Sequence, residues 1–146
     1  RPPRGMDTPI FTPFIKAHIF YSAVIETIVV FLTFFIGLRY FSPSIAGSLA
    51  LFSMVVQEIL YAYVCRDLKD TIYKQGFFSN RYMNMGILGI IVIEALVFLT
   101  PIGHLVKVET LTVPIIGVVL LGNLLTFSLY EGMKPFIRHF FKDKKN

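Results

Sequence analysis

The stretch 53-SMVVQEILYAYV-64 decides the fold, because it is largely apolar on both sides of two polar residues in its middle. Those residues, Gln57 and Glu58, lie inside a segment from residue 40 to 65 that carries no other formal charge. A helix needs about 20 apolar residues to cross a bilayer. The segment is therefore predicted to be a membrane-spanning helix with an acid deep in the hydrocarbon.

Three further stretches have the same length and character. Residues 17–38 carry one formal charge, Glu26; residues 82–106 carry one, Glu94; and residues 110–130 carry none. The 146-residue chain is 55% hydrophobic and 16% charged, whereas a typical soluble domain is about 25% charged. A soluble chain of this size could not bury so much apolar surface. We predict an all-α membrane protein with one domain over 1–146, a bundle of four transmembrane helices at about 14–39, 45–66, 81–101 and 111–134.

The positive charges predict how these helices are oriented. Twelve of the fourteen Lys and Arg residues lie before the first helix, between the second and third, or after the fourth, and only Arg39 and Lys107 lie in the other connections. Cationic residues stay on the cytoplasmic side during insertion. Both termini and the middle loop should therefore be cytoplasmic. The net charge of +5 then faces anionic lipid, so we expect the bilayer, and no nucleic acid, as a partner.

The membrane carboxylates are the candidate functional groups. Glu58 lies eight residues before Arg66, which is about 12 Å along a helix and close to the middle of a ~30 Å core. Glu26 and Glu94 reach similar depths. A charge there costs about 2.5–3.5 kcal/mol, so exposure to lipid is disfavoured. The side chains are either a site for protons or hard cations such as Ca²⁺, or neutral carboxyl groups hydrogen-bonded to another helix.

The two interpretations are weighted differently from one residue to the next. The functional one is favoured for Glu58, which has Gln57 beside it, and the structural one for Glu26 and Glu94. Asn123 is expected to make a hydrogen bond between helices. Three carboxylates supply too few ligands for Ca²⁺, which takes six to eight oxygens, so a complete site would need more chain.

Several weaker patterns add expectations. Glu131 and Lys134 are predicted to form a surface ion pair at the cytoplasmic end. There is no glycine-rich phosphate loop and no Cys/His cluster, so this segment alone should not catalyse a reaction. The three histidines lie at predicted helix boundaries without metal-ligand spacing: His18, His104 and His139. Small residues let membrane helices approach closely, and helix contacts are predicted at Gly86, Gly89, Gly117, Gly122, Ala46, Gly47 and Ala50.

Four short motifs in order resemble the C-terminal membrane region, helices seven to ten, of type II P-type cation pumps of the calcium-ATPase kind. The opening RPPR at 1–4 resembles the segment that follows the sixth helix of those pumps. The stretch 58-EILYAYVCRD-67 resembles their eighth helix, 75-QGFFSNRY-82 the link into the ninth, and 131-EGMK-134 the end of the tenth. The resemblance covers the whole chain.

The resemblance implies a role within a larger enzyme. The chain would be part of an ATP-driven cation pump, a translocase, and its partners would be the remaining membrane helices and the cytoplasmic domains of that pump. Those absent parts would bind Mg²⁺ and ATP and carry most ion ligands. Glu58 aligns with a position that supplies an ion ligand in calcium pumps, so Ca²⁺ transport is favoured. The implied location is the plasma membrane.

Two other functions remain open at this point. The chain could be a self-standing four-span scaffold or binding protein without transport activity, in which case its carboxylates would be structural. It could also be a small proton-coupled carrier that uses the same acids. An aspartyl-phosphate motif upstream of Arg1 would exclude the scaffold, and proton flux through liposomes holding this segment alone would support the carrier.

Overall fold

A computed structural model describes residues 11–66, 72 and 76–140. In this part of the chain there are four long helices and no strand: α1 (Pro13–Tyr40), α2 (Pro43–Cys65), α3 (Arg81–Leu99) and α4 (Val113–Phe140). All four are long and apolar enough to cross a membrane. The predicted all-α membrane bundle is therefore confirmed. The RPPR motif, most of the α2–α3 loop and the last residues of the basic tail lie outside the described residues.

The first two helices begin with the same N-cap arrangement. Thr12 and Ser42 each accept a hydrogen bond from a backbone N–H in the first helical turn, and each is followed by a proline at the first helical position. Proline suits this position because its missing N–H would have no helical partner. Only residues 41 and 42 separate α1 from α2, so these helices form an antiparallel hairpin.

The hairpin is tight where its two helices meet beside the turn. A Cβ atom at Gly37 would lie 3.0 Å from both Cα and Cβ of Ala46, which is fully buried. Glycine thus lets the end of α1 approach the start of α2 more closely than a larger residue could. The α1–α2 interface is the most extensive between helices, and α4 packs against both members of the hairpin.

Two apolar clusters hold the bundle at its opposite ends. We call one end the basic end, because α1 begins there beside Lys16, α2 ends there beside Arg66 and α3 begins there at Arg81; the other is the short-loop end. The core of the basic-end cluster is Val64, Ile72, Phe127 and Tyr130. The core of the short-loop cluster is Leu49, Phe52, Phe98, Val108 and Leu111.

The connection from α3 to α4 folds back onto the start of α2. It contains a 3-10 helix, Pro101–Val106, which ends at Lys107 with a left-handed backbone (φ 59°). Glu109 donates its backbone N–H to Ser48 Oγ at 2.9 Å and accepts from Ser44 Oγ at 3.0 Å through Oε1. A Cβ at Gly103 would lie 2.2 Å from the carbonyl oxygen of Val97, so only glycine fits there.

The predicted contacts at small residues are mostly wrong in the described part of the chain. Ala46 is buried against Gly37, as described above. Apart from the neighbouring backbone of the same helix, no described atom comes within 4 Å of a Cβ placed on the other predicted glycines, so no second helix packs closely there: Gly47, Gly86, Gly89, Gly117 and Gly122. Close approach instead occurs at Gly37 and Gly103, where the chain turns.

Candidate functional site

The membrane carboxyl groups of α1 and α2 lie near each other on the outside of the α1–α2 hairpin. Glu58 is exposed on the surface of α2, and Glu26 is half-buried on α1. The two side chains are near enough across the α1–α2 interface for each carboxyl group to influence the other electrostatically. Such a pair can hold one proton between its oxygens or bind one hard cation. The structure therefore brings together two of the predicted site residues on one side of the bundle.

The neighbour of Glu58 on α2 points in a different direction. Successive residues of a helix are about 100° apart, so Gln57 lies in the interface between helices and is only 1% exposed. The Tyr130 hydroxyl on α4 donates to Gln57 Oε1 at 3.3 Å. Gln57 Nε2 has no hydrogen-bond partner among the described residues. Gln57 thus links α2 to α4, while Glu58 faces out of the bundle.

A second polar contact lies nearer the short-loop end. Asn123 of α4 is 1% exposed and donates its side-chain amide to Ser53 Oγ of α2 at 3.1 Å. Thr33 of α1 approaches the same Ser53 oxygen at 3.5 Å. Three helices therefore meet around one serine. This places Asn123 in a hydrogen bond between helices and away from the carboxyl pair.

The polar residues form a stripe along the α1–α2–α4 interface. They recur at intervals of about four residues, which returns a side chain to the same helix face. The four-residue spacing is visible in the sequence and is the signal from which the stripe could have been predicted. The polar stripe consists of His18, Ser22, Glu26 and Thr33 on α1, Ser53, Gln57 and Tyr61 on α2, and Asn123, Thr126, Tyr130 and Lys134 on α4.

His18 is a member of the stripe that sequence reasoning placed at a helix boundary. The structure places its side chain inside the bundle, with 1% exposure. Its ring stacks on Tyr61 of α2, with centroids 6.0 Å apart and planes 16° from parallel. Neither ring nitrogen has a hydrogen-bond partner among the described residues. The signal for this position was the four-residue spacing His18–Ser22–Glu26.

The predicted surface pair at the end of α4 is not on the surface. Glu131 and Lys134 form an ion pair one turn apart, but the side chains are only 6% and 1% exposed. Glu131 Oε2 also accepts the backbone N–H of Ile72 at 3.0 Å. The expectation was wrong because residues from α1 and from the α2–α3 loop cover this turn of α4. The pair instead connects α4 to that loop.

Glu94 lies apart from the other two carboxyl groups. It borders an apolar cavity of about 380 Å³ between α2, α3 and α4, and its Oε2 has no partner among the described residues. The three acids therefore do not share one site. The described part of the chain contains no cluster of three or more His, Cys, Asp or Glu side chains able to hold a metal ion.

A groove opens between α1 and α4 on the short-loop half of the bundle. Its volume is about 790 Å³, and its walls are almost entirely apolar. Thr33, Asn123 and Thr126 of the polar stripe form its polar portion. The stripe thus runs from the basic end to the base of this groove.

Comparison with known families identifies a match. The family model described as "Cation transporting ATPase, C-terminus" matches residues 1–136. No curated protein and no solved structure matches the chain significantly. The match covers α1, α2, α3, α4 as far as residue 136, and every residue of the polar stripe.

Proposed function

The chain belongs to the cation-transporting ATPase C-terminus family and is the C-terminal membrane region of a P-type cation pump; from this we propose that it braces the ion-binding helices of a calcium pump. As part of a larger pump it is not the self-standing scaffold that the sequence left open. We further propose that Glu58 supplies one ligand to the transported ion. In this arrangement ATP and Mg²⁺ act in the cytoplasmic domains outside this segment.

The carboxyl pair on the bundle surface carries the proposal. Glu58 is exposed and Glu26 half-exposed on the outside of the α1–α2 hairpin. Facing lipid would cost each charge about 2.5–3.5 kcal/mol, so other helices of the pump should cover this side. Two carboxyl groups offer at most four oxygens of the six to eight that Ca²⁺ takes. The covering helices would supply the remainder.

The packing of the other side chains suits a bracing role. Ser53 joins α1, α2 and α4, and the buried Glu131–Lys134 pair ties α4 to the α2–α3 loop. Transporters commonly move one rigid group of helices against another around a fixed site. We propose that this bundle is the stationary group and that the ion-binding helices move against the surface that bears Glu58.

The charge distribution supports an orientation and a location. The basic end would face the cytoplasm, as the asymmetry of Lys and Arg indicates, and the α1–α2 and α3–α4 connections would lie on the opposite side. Glu109 and the 3-10 helix Pro101–Val106 would then face outward. We propose the plasma membrane as the location.

The test is the substitution Glu58→Gln in the full-length pump. Glutamine keeps the size of the side chain and removes its charge. We expect the calcium concentration for half-maximal ATPase activity to rise at least about tenfold, which corresponds to about 1.4 kcal/mol of binding free energy. The number of calcium ions transported per ATP hydrolysed should fall, or it should stay the same only at the higher calcium concentration that the weakened site requires.

Glu109→Gln is the matched control, because it removes a carboxylate from the α3–α4 connection, outside the hydrocarbon, and leaves the hydrogen bond with Ser44 possible. This variant should have the calcium affinity of the unaltered pump. If Glu58→Gln left both calcium affinity and transport stoichiometry unchanged, the ligand role of Glu58 would be wrong. Activation by another cation with no response to calcium would refute the calcium assignment.

A further inference from the structure

The groove between α1 and α4 has the length of one membrane leaflet. On the α1 side its lining residues run from Phe41, just after the helix, down to Val29, and on α4 they run from Pro114 to Thr126. Each of these intervals covers about 18 Å along a helix, which is close to the ~15 Å of hydrocarbon in one leaflet. The groove therefore begins at the membrane surface on the short-loop side and ends near the middle of the bilayer.

The groove ends where packing joins α1 to α4. Tyr21 and Ile25 of α1 pack against the basic-end cluster, whose members on α4 are Phe127 and Tyr130. Phe127 directly follows Thr126, the last lining residue on α4. The two helices are thus joined in the basic half and separated in the short-loop half. A transmembrane helix crosses both leaflets, so a groove that accepts one would continue past this contact.

The walls suit a hydrocarbon chain. Leu32 of α1 and Val118 of α4 line the groove and are 54% and 71% exposed. Its polar residues are already satisfied by their own helices, because Thr33 donates to an α1 carbonyl and Asn123 and Thr126 donate to α4 carbonyls. The volume of about 790 Å³ lies within the range of roughly 300–1,000 Å³ that is usual for ligand pockets. The groove therefore offers shape and apolar surface, and no polar group that still needs a partner.

A cation lies at the open end of the groove. The guanidinium carbon of Arg39 is 6.0 Å from the centroid of the Tyr40 ring, and Tyr40 lines the groove. Arg39 is exposed in the last turn of α1, and no carboxylate in the described part of the chain forms an ion pair with it. The guanidinium group binds phosphate through two parallel hydrogen bonds. A phosphate site directly above an apolar channel matches the chemistry of a phospholipid.

We propose that this groove binds one phospholipid from the leaflet on the short-loop side, with an acyl chain between α1 and α4 and the phosphate on Arg39. The surrounding lipid is as apolar as the groove walls, so retention depends on shape and on the phosphate contact. The bound lipid fills the gap and holds the short-loop halves of the two helices at a fixed separation. The inference is independent of the transported cation, because neither Glu26 nor Glu58 lines the groove.

The experiment uses the full-length pump in phosphatidylcholine vesicles that contain a small fraction of phosphatidylcholine with a photoactivatable diazirine on one acyl chain. The pump is transferred to detergent to remove loosely held lipid and is then illuminated, and the labelled peptides are quantified by mass spectrometry. We expect label on the groove faces of α1 and α4. A diacylglycerol with the same labelled chain lacks the phosphate and should label them about threefold less or weaker still.

Gly122→Leu blocks the groove with little change to packing within the bundle. Gly122 lines the groove, and apart from its own helix backbone no described atom lies within 4 Å of a Cβ placed there. The leucine side chain therefore occupies the space assigned to the acyl chain. Overpacking of a filled site is unfavourable enough for us to expect labelling to fall about tenfold.

Gly117→Leu is the matched control for this block. Gly117 lies on the same helix and also has open space around an added Cβ, but it does not line the groove. Labelling in this variant should equal that in the unaltered pump. Equal labelling of the groove in Gly122→Leu and Gly117→Leu would overturn the proposal, as would an unaltered pump whose groove takes no label.

Arg39→Gln tests the phosphate contact separately. This variant should lose the preference for the phospholipid probe over the diacylglycerol probe, because the cation that binds the phosphate is gone. Lys107→Gln is its control, since Lys107 is an exposed cation at the same end of the bundle and does not line the groove; the preference should persist there. A preference that survives Arg39→Gln would refute the proposed site.

Two further variants cover the remaining outcomes. If Gly122→Leu does not reach the membrane, Val118→Phe decides in its place, because Val118 is an exposed wall residue and undiminished labelling of α1 in that variant would count against the site. A photoreactive phenylalanine derivative in place of Ile36, another exposed wall residue, should cross-link to lipid. Cross-linking to a polypeptide instead would identify a protein helix as the occupant and reject the lipid.

Discussion

Asn123 on α4 donates its side-chain amide to the Ser53 hydroxyl on α2 at 3.1 Å and to the Val119 carbonyl of its own helix at 2.8 Å. Ser53 is completely buried and is also approached by Thr33 of α1 at 3.5 Å. Three helices that are separate in the sequence thus share one hydrogen-bonding group. In hydrocarbon no water competes for these groups, so their contacts contribute to how the helices align.

We expect Asn123→Leu to lower the stability of the bundle. Hydrogen bonds between membrane helices contribute about 0.6 kcal/mol on average and up to about 1.7 kcal/mol, and the buried Ser53 hydroxyl would lose a partner. Thermal unfolding of the purified pump in detergent would show this as a lower melting temperature. Ser128→Ala is the control, because Ser128 is exposed and bonds only within α4. Equal melting temperatures for both variants would contradict the assigned role.

The buried Glu131–Lys134 pair predicts non-additive effects. Lys134→Met leaves Glu131 as an uncompensated buried charge, and breaking a buried pair in this way costs about 3–5 kcal/mol. Adding Glu131→Gln should recover most of that loss, because glutamine is neutral and can still accept from the Ile72 N–H. A double-mutant cycle on the melting of the pump measures the coupling. Additive losses would show that the two side chains act independently.

The orientation predicts opposite accessibility for the two ends of the bundle. In a background in which Cys65 and the cysteines elsewhere in the pump are replaced, a cysteine placed at Ser44 should react with a membrane-impermeant maleimide added outside intact cells. A cysteine at Arg81 should react only after the membrane is opened, because the basic end would be cytoplasmic. Both positions are exposed in the described chain, so access is decided by the membrane side. The reverse pattern would invert the topology.

The number and character of the helices could be predicted from the sequence because hydrophobic length alone determines them. The free energy of transferring about 20 apolar residues into lipid is large and does not depend on neighbouring helices. The α1–α2 turn was also predictable, since Ser42 and Pro43 mark a helix start locally. Neither inference needs any knowledge of which helix faces meet.

The direction of each polar side chain could not be predicted in the same way. Gln57 and Glu58 are adjacent in sequence, but one contacts Tyr130 and the other lies on the bundle surface. Which of the two turns inward depends on the rotation of α2 against α4. Glu131 and Lys134 became buried because other parts of the chain cover them. The direction and burial of these side chains are determined by tertiary packing, and the sequence shows only the regular spacing of the polar residues.

The polar stripe also bears on how the protein is made. The hydrogen-bonded residues of the stripe are divided between the first two helices and the last. Gln57 and Ser53 therefore lack their partners, Tyr130 and Asn123, until α4 has been synthesised. Synthesis proceeds from the N-terminus, and an α1–α2 hairpin without α4 presents unmet polar groups to the lipid. A chain truncated before α4 would therefore expose a recognisable defect to the cell's membrane quality control.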